Sequence, residues 1–300
     1  MELLITGGTG FIGRALCRRL LADGHRLTVL SRWPRRVPAL CGAGVSAVAS
    51  LSELPRDRRF DAVINLAGEG IADRPWSAAR KQLLRDSRIG VTAALCDWIA
   101  AAASPPALLI SGSAVGYYGS RGDQLLDEAA PVGADFAAHL CRDWEVEAAR
   151  VEALGVRLCL LRTGLVLGGD GGMLARLKLP FSLGLGGRLG DGRQWMSWIH
   201  RDDLVALIVY LLDHPTLQGP FNGTAPEPVT NADFTRALAR ALRRPALLPM
   251  PAFALRLALG EMAGLLLGGQ RVLPQRALEA GFEFRYPTLP AALDEIFSGG

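Results

Sequence analysis

The sequence predicts an α/β fold, a doubly wound parallel sheet followed by a smaller C-terminal region on the substrate side. Three observations carry that expectation. The chain opens on the apolar run Glu2-Leu3-Leu4-Ile5-Thr6, followed by glycines at positions 7, 10 and 13 and then the amphipathic pattern Arg14 to Asp23. Strand-like runs alternate with helical ones as far as about residue 165, which implies parallel strands joined by crossover helices. Beyond that point the texture changes to glycine-rich loops and short helices separated by prolines. The expected division is a Rossmann domain over residues 1–165 and a substrate-side helical region over 166–300 packed on it, with some of its strands and helices joining the main sheet.

The segment Gly7-Gly8-Thr9-Gly10-Phe11-Ile12-Gly13 joins the first strand to the first helix. Gly7 and Gly8 permit a tight turn at backbone angles other residues avoid, Gly10 lets the backbone approach phosphates, and Gly13 lets the helix pack on the strand. The free N–H groups and positive dipole end of that helix then hold an anion. Glycine turns are common, but strand, turn and helix together are what a dinucleotide pyrophosphate needs. Gly7, Thr9, Gly10, Phe11, Ile12 and Gly13 are therefore the candidate contacts. Arg26 to Leu30 reads as a second strand and Val45 to Ala49 as a weak third. The second ends at Ser31-Arg32, where an NAD-binding protein usually places an acid for the ribose hydroxyls. That acid is absent. Arg32, backed by Arg35 and Arg36, suits the 2′-phosphate of NADP, with Ser31 as a further donor; a solvated basic loop is the plainer alternative.

Phe60 to Leu66 reads as the fourth strand and delivers Leu66, Ala67 and Gly68 to its carboxyl end, the side on which open α/β sheets bind ligands. Trp76 to Ala103 reads as one long helical region whose basic residues form a solvated face, Arg88 excepted as a candidate cofactor contact. Ala107 to Ser113 is a further strand, ending in Ser111-Gly112-Ser113-Ala114-Val115-Gly116-Tyr117-Tyr118-Gly119. A serine and two tyrosines there can polarise a carbonyl or relay a proton, or the aromatics can simply pack on a loop. Phe136 to Leu154 reads as a helix and Val156 to Arg162 as the sixth strand.

Past residue 164, the loops Gly168 to Gly172 and Gly184 to Gly192 join no clear strand to a helix, so mobile substrate loops or turns are expected rather than phosphate cradles. The segment Trp198 to Asp203 opens another helix, with His200 structural and the two aspartates favourable in the first turn. Thr230-x-x-Asp233 marks a capping-box-like start for the helix through Leu242.

Half of the 300 residues are hydrophobic, enough for a large core, and the net charge is only +4. The arginines are scattered, which favours an anionic small molecule over a nucleic-acid partner. Cys17, Cys41, Cys96, Cys141 and Cys159 form no C-x-x-C, and the histidines at 25, 139, 200 and 214 lack metal-ligand spacing, so reduced core thiols and no metal are expected. Strand pattern from residue 2, with no basic leader before it, points to a cytoplasmic protein. The apolar stretch Pro251 to Gly269 contains Arg256 and Glu261, which argues against stable membrane insertion; a membrane-surface or partner-binding role for Ala252 to Leu267 stays open.

The glycine turn, Asn65-Leu66-Ala67-Gly68, Ser111-Gly112-Ser113 and Trp198 to Asp203 together resemble the extended short-chain dehydrogenase/reductases, the NAD-dependent epimerase/dehydratase group. The likeness covers nearly the whole chain. Ala67-Gly68-Glu69-Gly70-Ile71, Trp76, Ser87-Arg88, Ser113 to Gly119 and Asp143-Trp144-Glu145 are similar to an atypical epimerase subfamily whose C-terminal domain of unknown function resembles the tail from about Met250. The resemblance implies a Rossmann fold and bound NADP(H). It also implies a departure, because family enzymes carry Tyr-x-x-x-Lys on the helix after the serine strand. Alignment on Glu145 places that tyrosine at Ala137 and that lysine at Cys141. Alanine has no proton to exchange and a neutral thiol supplies no positive charge. His139 is no substitute, since two residues along a helix it points about 200° away. Ser113, with Tyr117 or Tyr118, is left as the candidate catalytic group. The expected function is an NADP(H)-binding, epimerase-like oxidoreductase that reduces or epimerises an unidentified small molecule. The alternative is a catalytically silent NADP(H)-binding sensor or regulatory protein.

Overall fold

The structure is a computed structural model and describes residues 1–298. Its centre is a sheet of seven strands: β1 (Glu2–Thr6), β2 (Arg26–Leu30), β3 (Ser46–Val48), β4 (Ala62–Asn65), β5 (Leu108–Ala114), β6 (Arg157–Thr163) and β7 (Gly219–Gly223). They lie in the order β7-β6-β5-β4-β1-β2-β3, and every neighbouring pair is parallel. The chain runs outward from β1 to β3 and then crosses back to β4. The strand order therefore reverses between β1 and β4, which opens a ligand crevice at their carboxyl ends. This is the doubly wound sheet the sequence predicts.

Side chains alternate across β1. Leu3 and Ile5 join Leu16, Leu20, Leu204 and Ile208 on one face, from helices α1 (Phe11–Ala22) and, far along the chain, Arg201–Asp213. Leu4 joins Leu95, Ile99, Ala148 and Val151 on the other face. A parallel sheet buried on both sides needs such two-faced apolar strands. The expected helix over 76–103 is two helices, α2 (Ala78–Arg85) and α3 (Val91–Ala101), joined by a π-helical turn at Asp86–Gly90. Next come α4 (Phe136–Ala149), capped by Asp135, then α5 (Gly172–Ser182), α6 (Arg201–Asp213) and α7 (Asn231–Ala241). The Thr230 side chain accepts from the Asp233 amide and caps α7 as expected. Helices α8 (Ala252–Leu259) and α9 (Leu289–Ser298) complete the labelled set, and a second core forms around Trp198, Phe234, Leu238, Leu289 and Leu293.

Three further expectations need correction. Strand β7 was not anticipated, because Gly219 and Pro220 break strands by local rules. At the sheet edge β7 pairs only with β6, where a proline lacking an N–H is tolerated. Helix α6 starts at Arg201, after a short strand Trp198–His200 that pairs with Leu165–Leu167. The loop Gly168 to Gly171 consequently does join a strand to a helix, α5. All five cysteines are free and buried. Among the described residues no helix is long and apolar enough to cross a membrane.

Candidate functional site

The turn after β1 is built by close backbone approach. Gly7 has φ +69°, and a Cβ there would lie 2.5 Å from the Leu66 carbonyl oxygen. A Cβ on Gly13 would lie 2.2 Å from the Gly7 carbonyl oxygen, so α1 rests directly on the turn. Gly10 is different, since only the Gly7 oxygen comes near a Cβ there, at 3.1 Å. Gly10 caps α1 without a side-chain hydrogen bond and the first turn carries no acid, so the first amides of α1 have no side-chain acceptor of their own. The side chains of Phe11 and Ile12 serve the fold instead. Ile12 packs on the sheet core, while the Phe11 ring is enclosed by Gly168, Gly171 and Gly172 under Arg201, whose guanidinium carbon is 5.3 Å from the ring centroid. The Gly168 to Gly172 loop is thus shaped by an aromatic ring, a reason for its glycines that local reading could not supply.

A buried polar chain ties the strand ends together. Thr6 Oγ1 donates to Asn65 Oδ1 at 2.6 Å, Asn65 Nδ2 donates to Thr92 Oγ1 at 2.8 Å, and Trp144 Nε1 donates to the same oxygen at 2.9 Å. The Ala67 amide donates to Thr6 Oγ1 at 3.2 Å, which holds Leu66, Ala67 and Gly68 beside the glycine turn. Arg88 lies in the π-helical turn with its guanidinium against Gly68. Its Nη2 donates to the Glu69 carbonyl at 2.9 Å, and burial pulls its pKa below the ordinary guanidinium value. The structure gives Arg88 a role in shaping the loop after β4.

At the end of β2, Ser31 is nearly buried and accepts from the Trp33 amide at 3.2 Å, leaving its own proton to donate. The Arg32 side chain is 81 % exposed and pairs with Glu69 Oε1 at 3.1 Å. Strands β2 and β4 flank β1, so this ion pair spans the glycine turn.

Around Ser113 the structure assembles residues that sequence reasoning missed. Ser113 Oγ donates to Glu145 Oε1 at 2.6 Å, and Arg162 grips the same carboxylate with Nε and Nη2, each at 2.8 Å. Burial opposes the guanidinium charge, but hydrogen bonds and attraction from Glu145 outweigh it and raise the Arg162 pKa. Tyr118 is fully buried and donates to Asn222 Oδ1 at 2.7 Å; burial pushes its phenol up to about 12. Tyr117 is half-buried, with the Arg162 guanidinium carbon 3.6 Å from its ring centroid. Of the two candidate phenols, the one engaged in the core is Tyr118. Ala137 and Cys141 are buried on α4, and a Cβ on Gly116 would lie 3.5 Å from the Ala137 methyl, so the turn before Tyr117 occupies this helix face. Burial first, and the Glu145 charge second, push the Cys141 thiol up to about 12. His139 is exposed, on another face of α4. One signal was present in the sequence: Arg162 is a charge directly after the apolar run Leu158-Cys159-Leu160-Leu161, and a buried charge requires a partner.

A family model described as NAD dependent epimerase/dehydratase family matches residues 3–222, and a domain of unknown function, DUF1731, matches residues 250–296. The chain belongs to the NAD dependent epimerase/dehydratase family. It is 45% identical to an Arabidopsis thaliana protein, epimerase family protein SDR39U1 homolog, chloroplastic, over 99% of this chain and 86% of that one. It is 39% identical to the human epimerase family protein SDR39U1, with 99% of each chain covered. A crystal structure of that human protein (isoform 2) with NADPH superposes with a TM-score of 0.89 and 36% identity, covering 100% of both chains. A UDP-glucuronic acid 4-epimerase from Bacillus cereus in complex with NAD, TM-score 0.78 and 16% identity, shares the fold. This epimerase-family protein therefore has the Rossmann-like architecture of its relatives, with Ala137 and Cys141 buried on α4.

Proposed function

We propose that this protein binds NADP(H) and reduces the carbonyl of a small molecule. The observation that carries the cofactor reading is the uncapped start of α1, where a Cβ on Gly10 would meet only the Gly7 oxygen, with Arg32 standing where an NAD-binding acid would be. The human relative crystallised with NADPH supports it. Bound NADPH supplies hydride. Tyr117 donates the proton to the carbonyl oxygen, and Ser113 orients that oxygen after rotating its hydroxyl away from Glu145. Reduction uses the phenol as a proton donor, and the missing lysine removes the group that holds the nicotinamide ribose in family enzymes, so slow turnover in the reducing direction is expected. In a carbonyl panel followed by NADPH consumption, Ser113→Ala and Tyr117→Phe should each lower turnover at least tenfold while still binding cofactor. Unchanged turnover in both variants would remove them from the mechanism.

Calorimetric titration should show NADPH binding roughly tenfold or more tightly than NADH, since a charge-assisted hydrogen bond contributes about 1.5–3 kcal/mol. Arg32→Ala should erase most of that preference, and a preference that survives the substitution would refute the assignment. A second reading, an NADP(H)-binding sensor without turnover, is favoured by the burial of Ala137 and Cys141 where the catalytic tyrosine and lysine would stand. It predicts tight NADPH binding with no consumption on any carbonyl.

A further inference from the structure

Three arginines from separate parts of the chain converge on one residue at the mouth of the cofactor crevice. Arg32, at the end of β2, reaches Glu69 Oε1 at 3.1 Å, and Arg80, on the first turn of α2, lies 3.7 Å from Glu69 Oε2. Arg88 holds the Glu69 carbonyl, while the Glu69 amide donates to Ser87 Oγ at 3.1 Å. The backbone of Glu69 is therefore anchored on both sides, and its carboxylate is presented between two guanidinium groups. The Arg80 side chain is only 9 % exposed, and its Nε is buried without a hydrogen-bond partner. Its Nη2 donates to the Gly70 carbonyl at 2.5 Å, but a buried cation with one donor left over and only a 3.7 Å approach to a shared carboxylate is a costly arrangement for structure alone. Asp73, the next acid along the loop, is turned to Arg176 instead. Two cations share one carboxylate, Arg32 on Oε1 and Arg80 on Oε2, which leaves a net positive site suited to a phosphate.

We propose that Arg80 is a second arginine of the 2′-phosphate site and that the Glu69 carboxylate holds the place of that phosphate when no cofactor is bound. The inference rests on the NADP(H) reading above and extends it to two residues. Binding of the 2′-phosphate exchanges one anion for another between Arg32 and Arg80. Glu69 thereby lowers affinity for NADPH by competition and shields the arginines from other anions. NADH brings no second anion, so it neither displaces Glu69 nor draws on Arg80.

The test is calorimetric titration of the full chain with NADPH, NADH, adenosine 2′,5′-bisphosphate and 5′-AMP, with thermal unfolding as the check on folding. Arg80→Gln should weaken NADPH and the bisphosphate tenfold or more, with NADH and 5′-AMP changed less than twofold. Glu69→Gln, which keeps the backbone anchors, should tighten NADPH and the bisphosphate several-fold and leave NADH unchanged. Equal losses for NADPH and NADH in Arg80→Gln, or unchanged or weaker NADPH binding in Glu69→Gln, would overturn the proposal. Arg32→Ala separates the two levels of argument. If it removes the NADPH preference while Arg80→Gln and Glu69→Gln do nothing, this inference alone fails; if the preference survives all three substitutions, the NADP(H) site itself lies elsewhere.

Discussion

Gly10→Val should abolish NADPH binding while leaving the protein folded, whereas Gly13→Ala, a smaller change three residues away, should cost the fold. The two glycines look alike in the sequence and differ in what surrounds them. A Cβ at Gly13 would meet the Gly7 carbonyl oxygen at 2.2 Å and Gly8 Cα at 2.6 Å, both backbone atoms that cannot step aside without separating α1 from β1. At Gly10 the nearest atom is 3.1 Å away, and Gly10 has φ −77° and ψ 178°, which any residue adopts. Its extra bulk therefore falls at the uncapped start of α1, where the proposed pyrophosphate would bind. Loss of the pyrophosphate contacts should weaken NADPH by about 100-fold or more, roughly 2.7 kcal/mol. Calorimetry and thermal unfolding of both variants check it: a folded Gly10→Val protein that still binds NADPH tightly would make the segment an ordinary turn.

Arg162→Met should be the most destabilising single substitution near Ser113. Its side chain is 5 % exposed and that of Glu145 is 9 %, so removing the guanidinium strands a carboxylate in the core. Breaking a buried pair in this way typically costs about 3–5 kcal/mol, because the remaining charge has lost both its partner and its water. Replacing both members, Arg162→Met with Glu145→Leu, should recover much of that loss, since no unpaired charge then remains. Urea unfolding of the single and double variants measures the difference. A single variant within about 1 kcal/mol of the wild type would show that water reaches the site and solvates Glu145. Tyr118 should respond in the same series, because Arg162 Nη1 lies 3.1 Å from its hydroxyl oxygen.

The alternation of strands and helices, the glycine turn and the cap at Thr230 could be read directly from the residues, because each depends on neighbours within a few positions. Gly7 requires a positive φ whatever lies elsewhere, and Thr230 reaches the Asp233 amide through one turn of its own helix. The missing acid after β2 and the missing tyrosine and lysine at Ala137 and Cys141 were equally visible, since an absent functional group is a property of composition at a position. These are what the sequence by itself determined: the fold class, the glycine turn and the residue types at the positions the family resemblance singles out. The tertiary structure decided the rest. It placed Gly219–Gly223 as the edge strand of the sheet, distinguished Tyr117 from Tyr118, gave Ser113 its Glu145 partner and brought Arg32 and Arg80 to the Glu69 carboxylate, with Arg88 on the backbone carbonyl of the same residue. Ser113 and Glu145 are 32 positions apart, and Tyr118 and Asn222 are 104 apart. Contacts over such separations leave no periodicity or spacing in the chain, because their geometry is set by how helices and strands pack after the loops between them have closed.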